Sequence, residues 1–240
     1  MSILNAQPIE KRVNRPEISV HSIFRTIQGE GPFCGTPCTF VRLAGCNLQC
    51  PACDTSYTTP RKDYSIGELI NELRKYEHKG LVVITGGEPF RQNLTGLINE
   101  LVSFGYYIQI ESNGTLAPPT GVYFNLSPDQ RFGTYLVCSP KTAKVNKQVP
   151  DLACCYKYVM DSKHVDPADG LPITVLGRRA KVARPPAQWA RLVYLQPMDE
   201  GCDCVGCKSL NQQHMDACIK SCMDFGYIFQ LQIHKMVGLP

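Results

Sequence analysis

The chain has 240 residues, 43% of them hydrophobic and 19% charged, with a formal net charge of +4. That is enough chain for one sizeable core, and the mild positive balance suits a small anionic ligand without arguing for direct contact with nucleic acid. No apolar run approaches the roughly 18–20 residues that a membrane span needs, and the N-terminus lacks the apolar core of a signal peptide, so no membrane association is expected and the expected location is the cytoplasm.

Residues 1–16 are polar, contain Pro8 and Pro16, and read as an arm or linker before the first strand. Residues 18–24 and 39–44 read as strands, the second leading into a cysteine-rich loop. Ser65 and Glu68 form a capping box, and Leu69, Ile70 and Leu73 follow at helical spacing. Residues 81–85 are a buried-strand run ending at Gly86 and Gly87. Leu94, Leu97, Ile98 and Leu101 share one helical face, and residues 106–110 form a further strand ending at Glu111. In the second half the strand candidates are 122–126, 135–138, 155–160 and 192–196. Residues 177–191, with Arg178, Arg179, Lys181, Arg184 and the pair Pro185 and Pro186, read as a surface connection with a solvated basic face. Residues 211–225 are expected to be a helix and 227–233 a closing strand. Strands alternating with helices, each strand ending in a Gly or polar cluster, predict an α/β fold with a mostly parallel sheet and a site at its C-terminal edge. The helical patterns are too few for eight β/α units. The expected fold is therefore a partial, open β/α barrel in one domain, 1–240.

Cys46, Cys50 and Cys53 follow a C-x3-C-x2-C spacing. Three thiolates on one tight loop can hold three corners of a cubane [4Fe-4S] cluster, and no fourth cysteine is nearby, which leaves one iron open to something other than protein. Zinc is the rival metal, but three cysteines without a local fourth ligand match closed zinc sites poorly. Thirteen cysteines in all would suggest a disulfide framework in an exported chain; this spacing and the absent signal favour a reducing compartment instead.

The cysteine spacing after a strand-like segment resembles the radical S-adenosylmethionine (SAM) superfamily. The segments SIFRTIQGEG (22–31), FVRLAGCN (40–47), CDT (53–55), GGEP (86–89), ESNGT (111–115), SPK (139–141), LQPMD (195–199) and QIHK (232–235) resemble its 7-carboxy-7-deazaguanine synthase family. The resemblance spans most of the chain. It implies a ring-contracting lyase that converts 6-carboxy-5,6,7,8-tetrahydropterin to 7-carboxy-7-deazaguanine with loss of ammonia, in 7-deazapurine (queuosine-type) biosynthesis. A 5′-deoxyadenosyl radical would abstract hydrogen from C6 of the pterin. It also implies a flavodoxin-like electron donor and a homodimer.

Roles carried over by the same resemblance fall on matching positions. SAM is assigned to Gly86, Gly87 and Glu88 for the methionyl amino group, Glu111 and Asn113 for the ribose, and Ser139 and Lys141 for the methionyl carboxylate. Gln28, Glu30 and Arg42 are substrate positions; a carboxylate at Glu30 matches the guanidine-like pterin edge and Arg42 clamps the substrate carboxylate. The alternative is that Glu30 and Arg42 pair with each other. Thr55 is assigned to Mg2+, which keeps most of its waters. The tail, 232–240, is implied to fold back so that His234 and the Pro240 carboxylate line the substrate pocket. Relatives carry an aromatic residue beside the adenine where this chain has Ala52.

The Cys-rich loop 200–208 holds Cys202, Cys204 and Cys207, and His214, Cys218 and Cys222 share one stripe of the following helix. Together they suggest a second metal site; alternatively, Cys218 and Cys222 are small core residues and the loop cysteines are thiols. Cys34, Cys38, Cys154 and Cys155 read as structural. Two other functions fit the cysteine spacing. One is a glycyl-radical activating enzyme, which leaves the QGEG segment and the tail unexplained. The other is an iron–sulfur electron carrier, which leaves the strand-end series without a purpose.

Overall fold

A computed structural model describes residues 5–76, 80–187, 192–201 and 204–240. β1 (Ile18–Ile27) and β2 (Pro37–Leu43) form an antiparallel hairpin, and β3 (Lys62–Tyr64) pairs antiparallel with the outer edge of β1. From β2 onward the sheet is parallel. β4 (Leu81–Gly86), β5 (Tyr107–Ser112), β6 (Gly133–Cys138), β7 (Ala153–Met160), β8 (Val193–Pro197) and β9 (Ile228–Phe229) follow one another in space as they do in sequence. The nine-stranded order, β3-β1-β2-β4-β5-β6-β7-β8-β9, leaves the sheet unclosed.

Helices cover one face. α1 (Ile66–Arg74) starts at the Ser65–Glu68 capping box and α2 (Thr95–Ser103) links β4 to β5; α3 (Val149–Leu152) is a single turn before β7. α4 (Val205–Phe225) ends at Gly226, whose φ of 76° is the left-handed C-cap conformation. Leu73 of α1, Leu97 and Leu101 of α2 and Cys218 of α4 pack on Ile84, Ile110 and Leu195 of the sheet. Each buried aliphatic side chain contributes about 1.5–3 kcal/mol relative to exposure.

The opposite face changes character along the strands. Toward their N-terminal ends Leu81, Val83, Tyr107, Tyr135 and Val137 close around Phe33 as a second apolar layer. Toward their C-terminal ends the same parity of residues becomes polar: Arg42, Thr85, Glu111, Lys157 and Gln196. Gln230, just past β9, accepts from the Gly31 backbone N–H at 2.8 Å and donates to the Gly31 carbonyl at 3.1 Å, joining the last strand to the β1–β2 loop.

Two expected strands are shortened. Residues 122–126 make only an isolated bridge, Phe124 to Thr134, at the start of β6, whose edge β7 takes from Leu136 onward. The closing strand stops at Phe229, since the bond from Gln230 to Gly31 pulls the chain off the sheet and Ile233 begins the single turn α5 (Ile233–Met236). The last long helix begins at Val205 rather than 211, capped by the Cys204 sulfur, which accepts from Cys207 N–H at 3.3 Å. No helix among the described residues is long and apolar enough to cross a membrane.

Candidate active site

A cavity of about 440 Å³ opens at the C-terminal ends of the strands, within the range of small-molecule sites. Cys46, Cys50 and Cys53 stand on one wall of it, and among the described residues no other cysteine lines it. The loop that carries them is held from outside by the N-terminal arm. Asn5 donates from its backbone to Pro51 O at 2.9 Å and from its side chain to Cys50 O at 3.1 Å, and Glu10 N–H donates to Cys46 O at 2.7 Å. The Gln7 amide bridges Thr55 O and Tyr57 N. The arm is therefore a strap over the cysteine loop rather than a linker.

The residues fit an iron–sulfur cluster. Leu48 N–H points at Cys46 Sγ (3.4 Å) and Arg178 Nη1 at Cys50 Sγ (3.9 Å), donors that suit thiolates. Burial pushes the Cys46 thiol up to about 12 and raises Cys53 as well, so bare thiols here hold their protons and a metal must displace them. No three His, Cys, Asp or Glu side chains among the described residues converge as a single metal ion would require.

Gly86 and Gly87 lie where β4 passes beneath the cysteine loop. A Cβ on Gly86 would meet Leu43 O at 2.2 Å, and one on Gly87 would meet Gly45 O at 2.2 Å. Both glycines line the cavity, as do Asn113, Ser139 and Lys141. Lys141 Nζ donates to the Ser139 carbonyl at 2.9 Å; burial pulls its pKa down and the cysteine thiolates draw it back up. Asn113 ties the end of β5 to the cysteine loop by donating to Asn47 Oδ1 at 3.0 Å.

Glu88 lies away from the expected position. Its carboxylate is fully buried outside the cavity lining, accepting from Phe90 N–H (2.9 Å), Ser112 Oγ (2.8 Å) and Asn113 N–H (2.8 Å). It braces strand ends. Glu111 lines the cavity, and its oxygens accept from Gln28 (2.9 Å), Gln109 (2.8 Å) and Lys157 (3.1 Å).

Glu30 does not pair with Arg42. Its carboxylate is bonded by the Lys157 ammonium and, at 2.6 Å, by the Gln232 amide of the tail. Arg42 lies with its Cζ 5.2 Å from the Phe24 ring centroid, and its buried Nε has no partner. His234 Nδ1 and Gln196 Oε1 are likewise buried without partners, and all three residues line the cavity. Unmatched polar atoms converging on one space fit a polar ligand. His234 and Pro240 reach this space with the tail, which Lys235 fastens to Asp54 (3.4 Å) and Asp199 (3.1 Å). Thr55 lines the cavity beside Cys53, its hydroxyl 3.2 Å from Asp54 Oδ1.

Lys157, Gln196, Thr85 and Leu176 are cavity residues that sequence reasoning missed. Lys157 had a signal, as a charged residue at the inward parity of the otherwise apolar run ACCYKYVM. Among the described residues the second metal site does not form as a cluster. His214 is buried with Nδ1 at Ser162 (3.0 Å) and Nε2 at Glu200 (3.1 Å); Cys218 and Cys222 pack in the core. Cys207 is disulfide-bonded, and Cys202 lies outside the described residues. Cys38, Cys154 and Cys155 are buried, whereas Cys34 is exposed at the hairpin tip.

Residues 41–120 match the radical SAM superfamily. Over 227 residues the chain is 36% identical to the 7-carboxy-7-deazaguanine synthase of Rhodospirillum rubrum, with 92% of each chain covered. It is 34% identical to that of Rickettsia prowazekii over 235 residues, 93% of this chain and 89% of the relative. The crystal structure of QueE from Escherichia coli is similar in fold, with a TM-score of 0.63 and 21% identity over 90% of this chain and 94% of that one.

Proposed function

The chain belongs to the 7-carboxy-7-deazaguanine synthase family of radical SAM enzymes, and from that premise we infer that it makes 7-carboxy-7-deazaguanine by contracting the ring of 6-carboxy-5,6,7,8-tetrahydropterin with loss of ammonia. One observation carries the reading: a single cavity has the three cysteines on one wall and the Glu30–Lys157–Glu111 floor with the unpartnered Arg42 and His234 nitrogens on the other. An electron carrier has no use for such a space.

When bound, the [4Fe-4S] cluster and S-adenosylmethionine supply the one-electron, hydrogen-abstracting chemistry. The protein's residues hold and orient. Cys46, Cys50 and Cys53 ligate the cluster. Gly86 and Gly87 let the cofactor reach the backbone, and Ser139 with Lys141 meets its methionyl carboxylate. Arg42, free of any ion pair among the described residues, clamps the substrate carboxylate bidentately. Glu30 accepts from the guanidine-like pterin edge, and Gln28, itself bonded to Glu111 and to Glu30 N–H, fixes the spacing of the floor. The Lys157 ammonium, whose burial pulls it down to about 7, can hold or release a proton at Nζ near neutral pH, which suits departure of ammonia. The tail brings His234 and Pro240 over the substrate and excludes water.

Three further parts complete the reading. Thr55, next to Asp54 at the cavity edge, is the ligand assigned to Mg2+, an ion that takes few protein donors. A flavodoxin-like donor would supply the electron near the exposed Gln49 and Asp54. A second copy of the chain would cover Ile219, Met223, Ile228 and Phe229, which stand exposed along α4 and β9.

Anaerobic turnover tests the proposal. Reconstituted protein receives dithionite, S-adenosylmethionine, Mg2+ and the pterin, and chromatography reads the deazaguanine. Product that is lost in Cys50→Ala is the expected result. Accumulation of 5′-deoxyadenosine without deazaguanine would overturn the substrate while keeping the radical chemistry.

A further inference from the structure

The segment after β7, whose basic residues suggest a solvated connection, returns to the cysteine loop. Val175 and Arg178 are joined across a turn by Arg178 N–H to Val175 O at 3.0 Å, and the two residues between them, Leu176 and Gly177, have φ of 51° and 71°. Positive φ at both central positions defines a type I′ turn, which favours Gly, Asn or Asp. Leu176 is the single non-glycine residue with positive φ among those described, at a cost of order 1–3 kcal/mol. The turn makes three contacts with the loop. Leu176 O accepts from Ala52 N–H at 3.0 Å, a Cβ on Gly177 would stand 3.2 Å from Pro51, and Arg178 Nη1 lies 3.9 Å from Cys50 Sγ.

Arg178 differs from its basic neighbours. Arg184 is paired with Asp166 and Asp169, and Arg179 and Lys181 are exposed. Arg178 is half-buried, no carboxylate pairs with it among the described residues, and its Nε is buried without a partner. It lies outside the cavity lining, behind the cysteine loop. Among the described residues the one polar side-chain group it meets is the sulfur of Cys50, a candidate cluster ligand. A guanidinium keeps its charge at working pH.

We propose that Arg178, held by the strained Leu176–Gly177 turn, sets the reduction potential of the cluster by placing a fixed positive charge and an N–H donor at Cys50. The proposal rests on the three cysteines holding that cluster. The step concerned is the gain of one electron from an external low-potential donor, which takes the cluster core from the 2+ to the 1+ state and adds one negative charge beside Cys50. A positive charge there favours the reduced side, and donors to cluster sulfurs act in the same direction. Arg178 is thus a positioning residue for electrons rather than for substrate.

The test is a redox titration of reconstituted protein, without S-adenosylmethionine or pterin, followed by the electron paramagnetic resonance of the reduced cluster. In Arg178→Met the midpoint is expected to move negative. At the wild-type midpoint the reduced-to-oxidised ratio falls about ten-fold, ~59 mV for a one-electron couple. Arg178→Gln, which keeps a donor without the charge, should fall between, and Arg178→Lys should stay near wild type. Midpoints of the Met and Gln variants equal to wild type would overturn the proposal. Loss of the cluster from both variants would also overturn it, in favour of a purely structural role. A wild-type protein that takes up no cluster would overturn the cluster reading itself and this inference with it.

Discussion

The Lys157 ammonium stands 3.1 Å from the Glu111 carboxylate in the middle of a sheet face, with side-chain exposures of only 7% and 12%. Burial pulls Lys157 down to about 7 and pushes Glu111 up, while Glu30 adds a second carboxylate to the same ammonium. Two acids share one base here. The arrangement buries two carboxylates beside one ammonium without leaving either uncompensated.

The sign of the pH effect follows. Lys157 has its folded-state pKa depressed to about 7, so the ammonium is complete below that value and is lost as pH rises through it. Glu30 and Glu111 then face each other without a counter-charge. Substrate affinity, measured by anaerobic equilibrium binding, should fall above about pH 7. In Lys157→Arg the fall should disappear from the accessible range, because a guanidinium does not deprotonate there. An unchanged alkaline limb in Lys157→Arg would show that another group sets it. For stability, a lysine with depressed pKa makes folding less favourable below about pH 7, a cost relieved between there and its ordinary value.

Glu88 should act on stability first. Removing its carboxylate in Glu88→Ala leaves two backbone N–H groups and the Ser112 hydroxyl buried without their acceptor. The expected loss is about 3 kcal/mol in urea denaturation, from the desolvation cost of stranded donors. Glu88→Gln keeps one acceptor oxygen and should lose less. A Glu88→Ala protein as stable as wild type, with cofactor binding abolished, would return Glu88 to the ligand-binding role that its motif suggested.

The sequence made the parallel half of the sheet legible because its strands are short apolar runs that each stop at a polar or glycine cluster. The C-x3-C-x2-C loop was legible because its spacing is local. What escaped depends on distant pairings. Lys157 looks like an interruption of a strand until Glu30, 127 residues away, is placed against it. The N-terminal arm reads as linker because its bonds to Pro51, Cys50, Cys46, Thr55 and Tyr57 are made by backbone groups and two amides, which carry no apolar period. Glu88 was visible as a motif residue, but only the end of β5 shows where its carboxylate goes.

Leu176 trades stability for a cavity wall. Asparagine adopts the left-handed conformation more readily than leucine, so Leu176→Asn should unfold within about 1 kcal/mol of wild type. Its affinity for S-adenosylmethionine should drop about ten-fold as an apolar side chain leaves the wall beside Ala52, a loss of about 1.4 kcal/mol. Calorimetric unfolding and equilibrium binding of the cofactor separate the two effects. Equal affinity in the Asn variant would show that the wall is supplied by something else.

The tail depends on a residue with no side chain. A Cβ on Gly29 would lie 2.1 Å from His234 Nδ1 and 2.8 Å from Cε1, so Gly29→Ala must displace the His234 ring from the cavity. The ring is carried by the single turn α5, outside the sheet, and can move, so the fold should tolerate the change while turnover falls at least ten-fold, about 1.4 kcal/mol at the transition state. Coupling identifies the cause. If Gly29 acts through His234, the double variant Gly29→Ala with His234→Ala should be no slower than His234→Ala alone, whereas independent effects would multiply. A short extension after Pro240 should cost activity by the same route, since Leu239 and Pro240 line the cavity and Lys235 anchors the tail only at its base. Full turnover in a C-terminally tagged enzyme would place the working position of the tail elsewhere.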